Sequence, residues 1–249
     1  MSIFTGMSAF LTGAAGGIGR ATAHALARAG AKLMLVDIDL GGLEAIRNEL
    51  KPHRNEVAIF AADIADAQAV EAAVAETVAR FGRLDLAHNN AALLGPIVEL
   101  ANYPLDAARR LLEVNVLGLV HCLQPQIRHM LKSGGGSIVN TASVSGVHAV
   151  PNISIYTATK HAVIGLTKSA ASEYSAKGIR VNCVCPGFVL TNMTLGRFDR
   201  ETEAMLAAQH PIGRFAKTEE VAEAVVWLLS NRASFSTGSA LFVDGGQTI

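Results

Sequence analysis

The chain has 249 residues, 21 basic and 21 acidic side chains, no net charge, and hydrophobic residues at 50% of its positions. That length and apolar content suit one large α/β domain, while the balanced charge and the absence of a basic cluster argue against nucleic acid or an anionic membrane as partner. The 3 cysteines and 8 scattered histidines offer neither a disulfide framework nor a metal-ligand spacing, so free buried thiols and no metal are expected.

The first charged residue is Arg20, so the start lacks the basic stretch of a secretory signal, and no apolar run reaches membrane-spanning length. A soluble cytoplasmic protein that acts on a small molecule is the expectation. The segment MSAFLTGAAGGIGRATAHALARAGAKLMLVDID then reads as strand, glycine turn, amphipathic helix, strand. In the turn, Gly13, Gly17 and Gly19 leave room for a pyrophosphate at the start of the helix, where the backbone N–H groups and the helix dipole favour an anion.

Asp37 closes the next strand at a place where a carboxylate can accept hydrogen bonds from ribose hydroxyls and repel a 2′-phosphate. Its neighbours Ala14, Ala15 and Ile38 bring no positive charge, so NAD is favoured over NADP. Helices through GGLEAIRNEL and from about 66 to 80 alternate with strands in EVAIFAADI and RLDLAHNN, the pattern of a doubly wound parallel sheet. Ligands bind beyond the carboxyl ends of such strands, which is where Asp63, Ile64, Asn90 and Ala91 fall.

A long helical pattern from about 105 to 131 contains Asn115 inside its apolar stripe, which implies a bend or a held water. SGGGSIVNTAS forms a turn and a strand that ends at Ser143, and after one further helix GIRVNCVCPG is a strand stopped by Pro186 and Gly187. The alternation Cys183-x-Cys185 is expected to place its two thiols on opposite faces. From 188 to 212 regular periodicity is lost, and the apolar Leu190, Met193, Leu195 and Phe198 suggest a lid over the substrate. TEEVAEAVVWLLS is an amphipathic helix opened by Thr218, and SALFVDGG is the last strand.

The densest chemistry lies between Ser143 and Lys160. Tyr156 and Lys160 are four residues apart at the start of a helical run, so both side chains share one face. A nearby ammonium favours the phenolate, which suits Tyr156 to proton exchange with an alcohol or ketone, and the Ser143 hydroxyl can hold the same oxygen from another side. Between them, Ser145, His148 and Ile153, with Leu195 beyond, are expected to shape a largely apolar substrate pocket.

Together these motifs resemble the short-chain dehydrogenase/reductase family in its single-domain form, over nearly the whole chain. The resemblance rests on Thr12, Gly13, Gly17 and Gly19, on Asp63, and on Asn89 to Ala92, where Ala92 stands in place of the family's glycine. Asn115, Ser143, Tyr156, Lys160, Pro186, Gly187 and Thr191 complete it. It implies a Rossmann-type sheet of about seven strands with helices on both faces and an NAD-dependent oxidoreductase interconverting a secondary, hydrophobic or cyclic alcohol and its ketone.

Within that resemblance Tyr156 is the general acid/base and Lys160 lowers its pKa and binds the nicotinamide ribose. Ser143 orients the substrate oxygen, and Asn115 fixes a water that links Lys160 to solvent. Ile18, Val189 and Thr191 bracket the nicotinamide, and the chain is expected to form a homotetramer through the helices carrying Asn115 and Tyr156. A 3-oxoacyl-carrier-protein reductase of the same family is the alternative, disfavoured by Asp37 and the zero net charge. A non-catalytic NAD-binding sensor is disfavoured because none of the four catalytic residues is missing.

Overall fold

The computed structural model describes residues 2–191 and 199–249. Seven strands form one parallel sheet: β1 (Ser8–Thr12), β2 (Lys32–Asp37), β3 (Val57–Ala61), β4 (Leu86–Asn89), β5 (Gly136–Thr141), β6 (Ile179–Pro186) and β7 (Ala240–Val243). Their spatial order is β3-β2-β1-β4-β5-β6-β7. The chain therefore builds outward from β1 through β3, then returns to place β4 on the other flank of β1 and builds outward again. The reversal opens a crevice beyond Thr12 and Asn89, which are register partners at the carboxyl ends of β1 and β4.

The helices α1 (Gly17–Arg28), α2 (Leu40–Leu50), α3 (Ala67–Phe81), α4 (Leu105–Leu112), α5 (Gly118–Lys132), α6 (Ser154–Tyr174), α7 (Arg200–Ala208) and α8 (Thr218–Leu229) fill the connections. Strand alternation divides the core into two layers. Leu11, Leu33, Leu35, Val139 and Val184 face Leu26 of α1, Ile46 of α2 and Val225 of α8. Phe10, Met34, Ile138 and Val181 face Val74 of α3, Leu123 of α5 and Val163 of α6.

Cys183 and Cys185 belong together to the α3/α5/α6 layer, while Val184 between them turns to the other. The expectation of opposite faces is corrected: a strand repeats every two residues, so positions i and i+2 share a face. All 3 cysteines are free and buried. Helix α8 opens at Thr218 as expected, with Lys217 as its N-cap and the Glu220 carboxylate accepting from the Lys217 N–H at 2.8 Å.

The long pattern around Asn115 is helical but not uniform. A π turn over Glu113–Leu117 joins α4 to α5, the local bulge that often marks a functional site. In the segment 188–212 the structure inserts α7, capped by Asp199, which accepts from Thr202 N–H at 2.8 Å. None of its residues is buried, so no apolar stripe betrays it in the sequence. Met193, Leu195 and Phe198 lie outside the described residues. Among the described residues no helix is long and apolar enough to cross a membrane.

Candidate active site

A cleft of about 580 Å³ runs along the carboxyl edge of the sheet, from Asp37 and Ile38 at one end to Ser143, Ile153 and Tyr156 at the other. Every residue predicted to hold the cofactor lines it except Gly19. Gly19 lies behind the turn, where an added Cβ would stand 1.9 Å from the Gly13 carbonyl oxygen, so its part is close packing of α1 on the turn. Ser145 and Ile153 line the cleft, as does Val150, which carries no motif in the sequence. His148 is exposed and outside the lining, a correction to its predicted pocket role; Leu195 lies outside the described residues.

The glycine turn fits a pyrophosphate. Gly13 adopts φ +66°, a backbone that L side chains rarely take, and a Cβ there would lie 2.8 Å from the Asn90 amide nitrogen. In front of Gly16 there is open space, with no atom within 4 Å of a built Cβ. Helix α1 begins with no side-chain cap and no acidic residue in its first turn, so its leading N–H groups are left to an anion. At the far end of the cleft, the Asp37 carboxylate accepts from Ala15 N–H at 3.0 Å and Asp39 N–H at 3.1 Å.

Arg110, from α4, reaches Asp63 at 2.5 Å, a pairing across 47 residues that no local motif announced. Burial acts to raise the Asp63 pKa, but the Ala65 N–H bond and the Arg110 guanidinium outweigh it and hold the carboxyl below its ordinary value. Thr12 braces the neighbouring wall: its Oγ1 accepts from the N–H groups of Asn90 and Ala91 at 3.0 and 3.2 Å.

At the other end, α6 starts at Ser154, so Tyr156 occupies its first turn and Lys160 the next. The Lys160 Nζ lies 5.5 Å from the centre of the Tyr156 ring and donates to the Thr141 carbonyl at 2.7 Å. The Ser143 Oγ accepts from Ser145 N–H at 3.1 Å, which leaves its own proton to point at the Tyr156 phenol. Burial pushes the phenol up to about 12, and the Ser143 hydrogen bond pulls the other way. The expected lowering of that pKa by Lys160 is thus not what the protein alone produces: burial sets the direction, and the Ser143 hydrogen bond is what opposes it.

Asn115 spends its side chain on structure. Its Oδ1 accepts from Leu93 N–H at 2.8 Å, and its Nδ2 donates to Leu93 O at 2.8 Å and Thr159 Oγ1 at 3.2 Å. Behind it a cavity of about 10 Å³, lined by Thr12, Asn89, Asn115, Thr141 and Lys160 among others, is at the size threshold for one water with several polar partners.

Burial also pulls the Lys160 ammonium down to about 8 from 10.5. Between those two values the unfolded chain keeps a proton that the native chain has released, so stability from this site rises with pH across the window. Tyr156 opposes it from pH 10 upward, because its unfolded phenol ionises before the native one at about 12. Lys160→Met is therefore expected to melt a few degrees above the wild type at neutral pH, with the gap closing toward about pH 10. A lower melting temperature at neutral pH counts against this cost of the buried ammonium.

A glycine cradle at a helix start, carboxylates at one end of the cleft, and a hydroxyl, a phenol and an ammonium at the other define a nicotinamide-dependent oxidoreductase. A family model described as Enoyl-(Acyl carrier protein) reductase matches residues 13–248. A 2,5-dichloro-2,5-cyclohexadiene-1,4-diol dehydrogenase of Sphingobium indicum is 45% identical, covering 100% of this chain and 99% of that protein. Cyclohexanol dehydrogenase of an Acinetobacter species is 41% identical over 98% of this chain and 96% of its own. The crystal structure of carveol dehydrogenase from Mycobacterium avium in complex with NAD superposes with a TM-score of 0.95 at 30% identity, covering 99% of each chain. The chain belongs to the short-chain dehydrogenase/reductase family.

Proposed function

We propose that this protein oxidises a secondary alcohol on a hydrophobic or cyclic frame to its ketone with NAD, and catalyses the reverse. The observation that carries the substrate class is the wall around Ser143 and Tyr156, built from Leu93, Leu94, Val144, Val150, Ile153 and Phe188. Such a wall takes up a carbocycle and leaves one polar point, the reacting oxygen, for the two hydroxyls. The relatives named for cyclohexanol and a cyclohexadienediol support the same reading.

In this reading Gly13 to Ile18 hold the pyrophosphate, Asp37 the adenosine ribose, Asp63 and Ile64 the adenine, and Val189 and Thr191 the nicotinamide. Bound nicotinamide supplies the hydride acceptor or donor. Ser143 donates to the substrate oxygen, Tyr156 takes or returns its proton, and Lys160, anchored on Thr141, sets the charge beside the phenol. Preference for NAD is supported by the lining near Asp37: the only cations among the described residues of the cleft are Arg110 and Lys160, engaged with Asp63 and Thr141.

The segment 188–212 is proposed as the substrate lid, supported by Phe188, Val189, Thr191 and Gln209 lining the cleft. A homotetramer is proposed on Leu105, Leu112 and Leu117, exposed at 72%, 45% and 50% along the α4–α5 side, and mass in solution checks it. Three buried free thiols suit the reducing cytoplasm.

The test is a panel of cyclic secondary alcohols, primary alcohols and 3-oxoacyl thioesters, followed by NADH absorbance in both directions. Cyclohexanol-type substrates are expected to exceed primary alcohols by about a hundredfold in kcat/KM. The alternative, an acyl-carrier-linked substrate, is favoured by the description of the matching family model; a thioester turned over faster than every cyclic alcohol would install it instead.

A further inference from the structure

His88, on β4, is fully buried beside the catalytic floor and does not line the cleft. Its Nε2 lies 2.9 Å from Thr141 Oγ1. The Thr141 hydroxyl donates to Asn90 Oδ1 at 3.2 Å, and Asn90 Nδ2 donates to the Gly13 carbonyl at 3.2 Å. A hydroxyl has one proton, and this one goes to Asn90, so Thr141 accepts from the histidine. The ring is therefore the Nε2–H tautomer, with Nδ1 bare, buried and without a hydrogen-bond partner.

That bare nitrogen is informative. His88 lies on the same face of β4 as Leu86, in register between Leu11 and Val139, both apolar. An aliphatic side chain would fill the position without stranding a ring nitrogen, so the histidine is explained by the one bond it makes. Burial holds its pKa down at about 3, so it stays neutral and its donor stays in place at working pH.

We propose that His88 is a positioning residue for the dinucleotide site: its Nε2–H starts a one-way chain through Thr141 and Asn90 that fixes the Gly13 carbonyl and the glycine turn. The direction of the chain matters. With Asn90 Oδ1 committed to Thr141, its amide N–H must face Gly13; a reversed amide would set two oxygens against each other. Without the His88 donor, the Thr141 hydroxyl is free to turn away from Asn90 Oδ1, so the Asn90 amide is held from the Gly13 side alone and the turn loses part of its support where the pyrophosphate is to bind. Lys160 uses the Thr141 carbonyl, not its hydroxyl, so the acid/base end keeps its anchor.

This inference rests on the cleft being the dinucleotide site, which NADH titration of the wild type checks independently. His88→Leu, similar in bulk and without a donor, is expected to weaken NADH binding by about tenfold in calorimetry while kcat at saturating cofactor stays within about threefold. His88→Gln, whose amide N–H reaches about as far as Nε2, is expected to restore the affinity to within about threefold. Thr141→Val breaks the next link, and its loss is expected not to add to that of His88→Leu in the double variant.

Unchanged NADH affinity in His88→Leu overturns the proposal, and so do additive losses in the double variant. If His88→Leu does not fold, affinities of His88→Gln and Thr141→Val decide. Near-wild-type binding by the first with about tenfold weaker binding by the second supports the chain; weak binding by a well-folded His88→Gln, or wild-type binding by Thr141→Val, removes it.

Discussion

Tyr156→Phe is expected to lower kcat by about a thousandfold, inside the usual range for removing a general acid/base, with NADH affinity within about threefold of wild type. The phenol lines the cleft and accepts a hydrogen bond from Ser143, with its ring centre 5.5 Å from the Lys160 Nζ, so removing its oxygen takes away the group placed to exchange a proton with the substrate. Because burial holds the phenol at about 12, it is protonated at neutral pH, which readies it as an acid for ketone reduction. Alcohol oxidation needs the opposite form. Its kcat/KM is therefore expected to rise through the alkaline range, while that of reduction stays level and then falls. Turnover within about tenfold of wild type in Tyr156→Phe, or identical pH profiles in the two directions, removes Tyr156 from the proton step.

What could be read from sequence alone follows from how tightly geometry restricts residue type. The Gly13–Gly19 turn was legible because positive φ and a 1.9 Å clearance admit only glycine, and Tyr156 and Lys160 because a helix converts a spacing of four into one face. Pairings set by the tertiary fold left no such mark. Arg110 finds Asp63, and His88 finds Thr141 across 53 residues; each is an ordinary residue in its own window. Helix α7 was illegible for the converse reason, since a helix that buries nothing carries no apolar period. His148 shows the limit of proximity in sequence: five residues from Ser143, it turns to solvent on the loop before α6 while Val150 takes the wall.

Cofactor choice offers the sharper test of the other end of the cleft. Asp37 Oδ2 accepts from Ala15 N–H at 3.0 Å, which pins the carboxylate beside the turn, and Asp39 stands two residues on along the same lining. A 2′-phosphate at this end would bring nearly two further negative charges toward the Asp37 carboxylate. At an effective dielectric of about 20, one such pair at 4 Å costs about 4 kcal/mol before screening, enough for roughly a thousandfold preference for NAD over NADP in kcat/KM. The double variant Asp37→Ser with Ile38→Arg removes one carboxylate and places a guanidinium at a residue that is 70% exposed and lines the cleft. It is expected to favour NADP, and to bind NAD about tenfold more weakly because the ribose loses its acceptor. The substrate end is untouched, so kcat at saturating cofactor should stay within about threefold. A wild type that prefers NADP, or a double variant that keeps the wild-type preference, would show that the carboxylate at the end of β2 does not govern the choice.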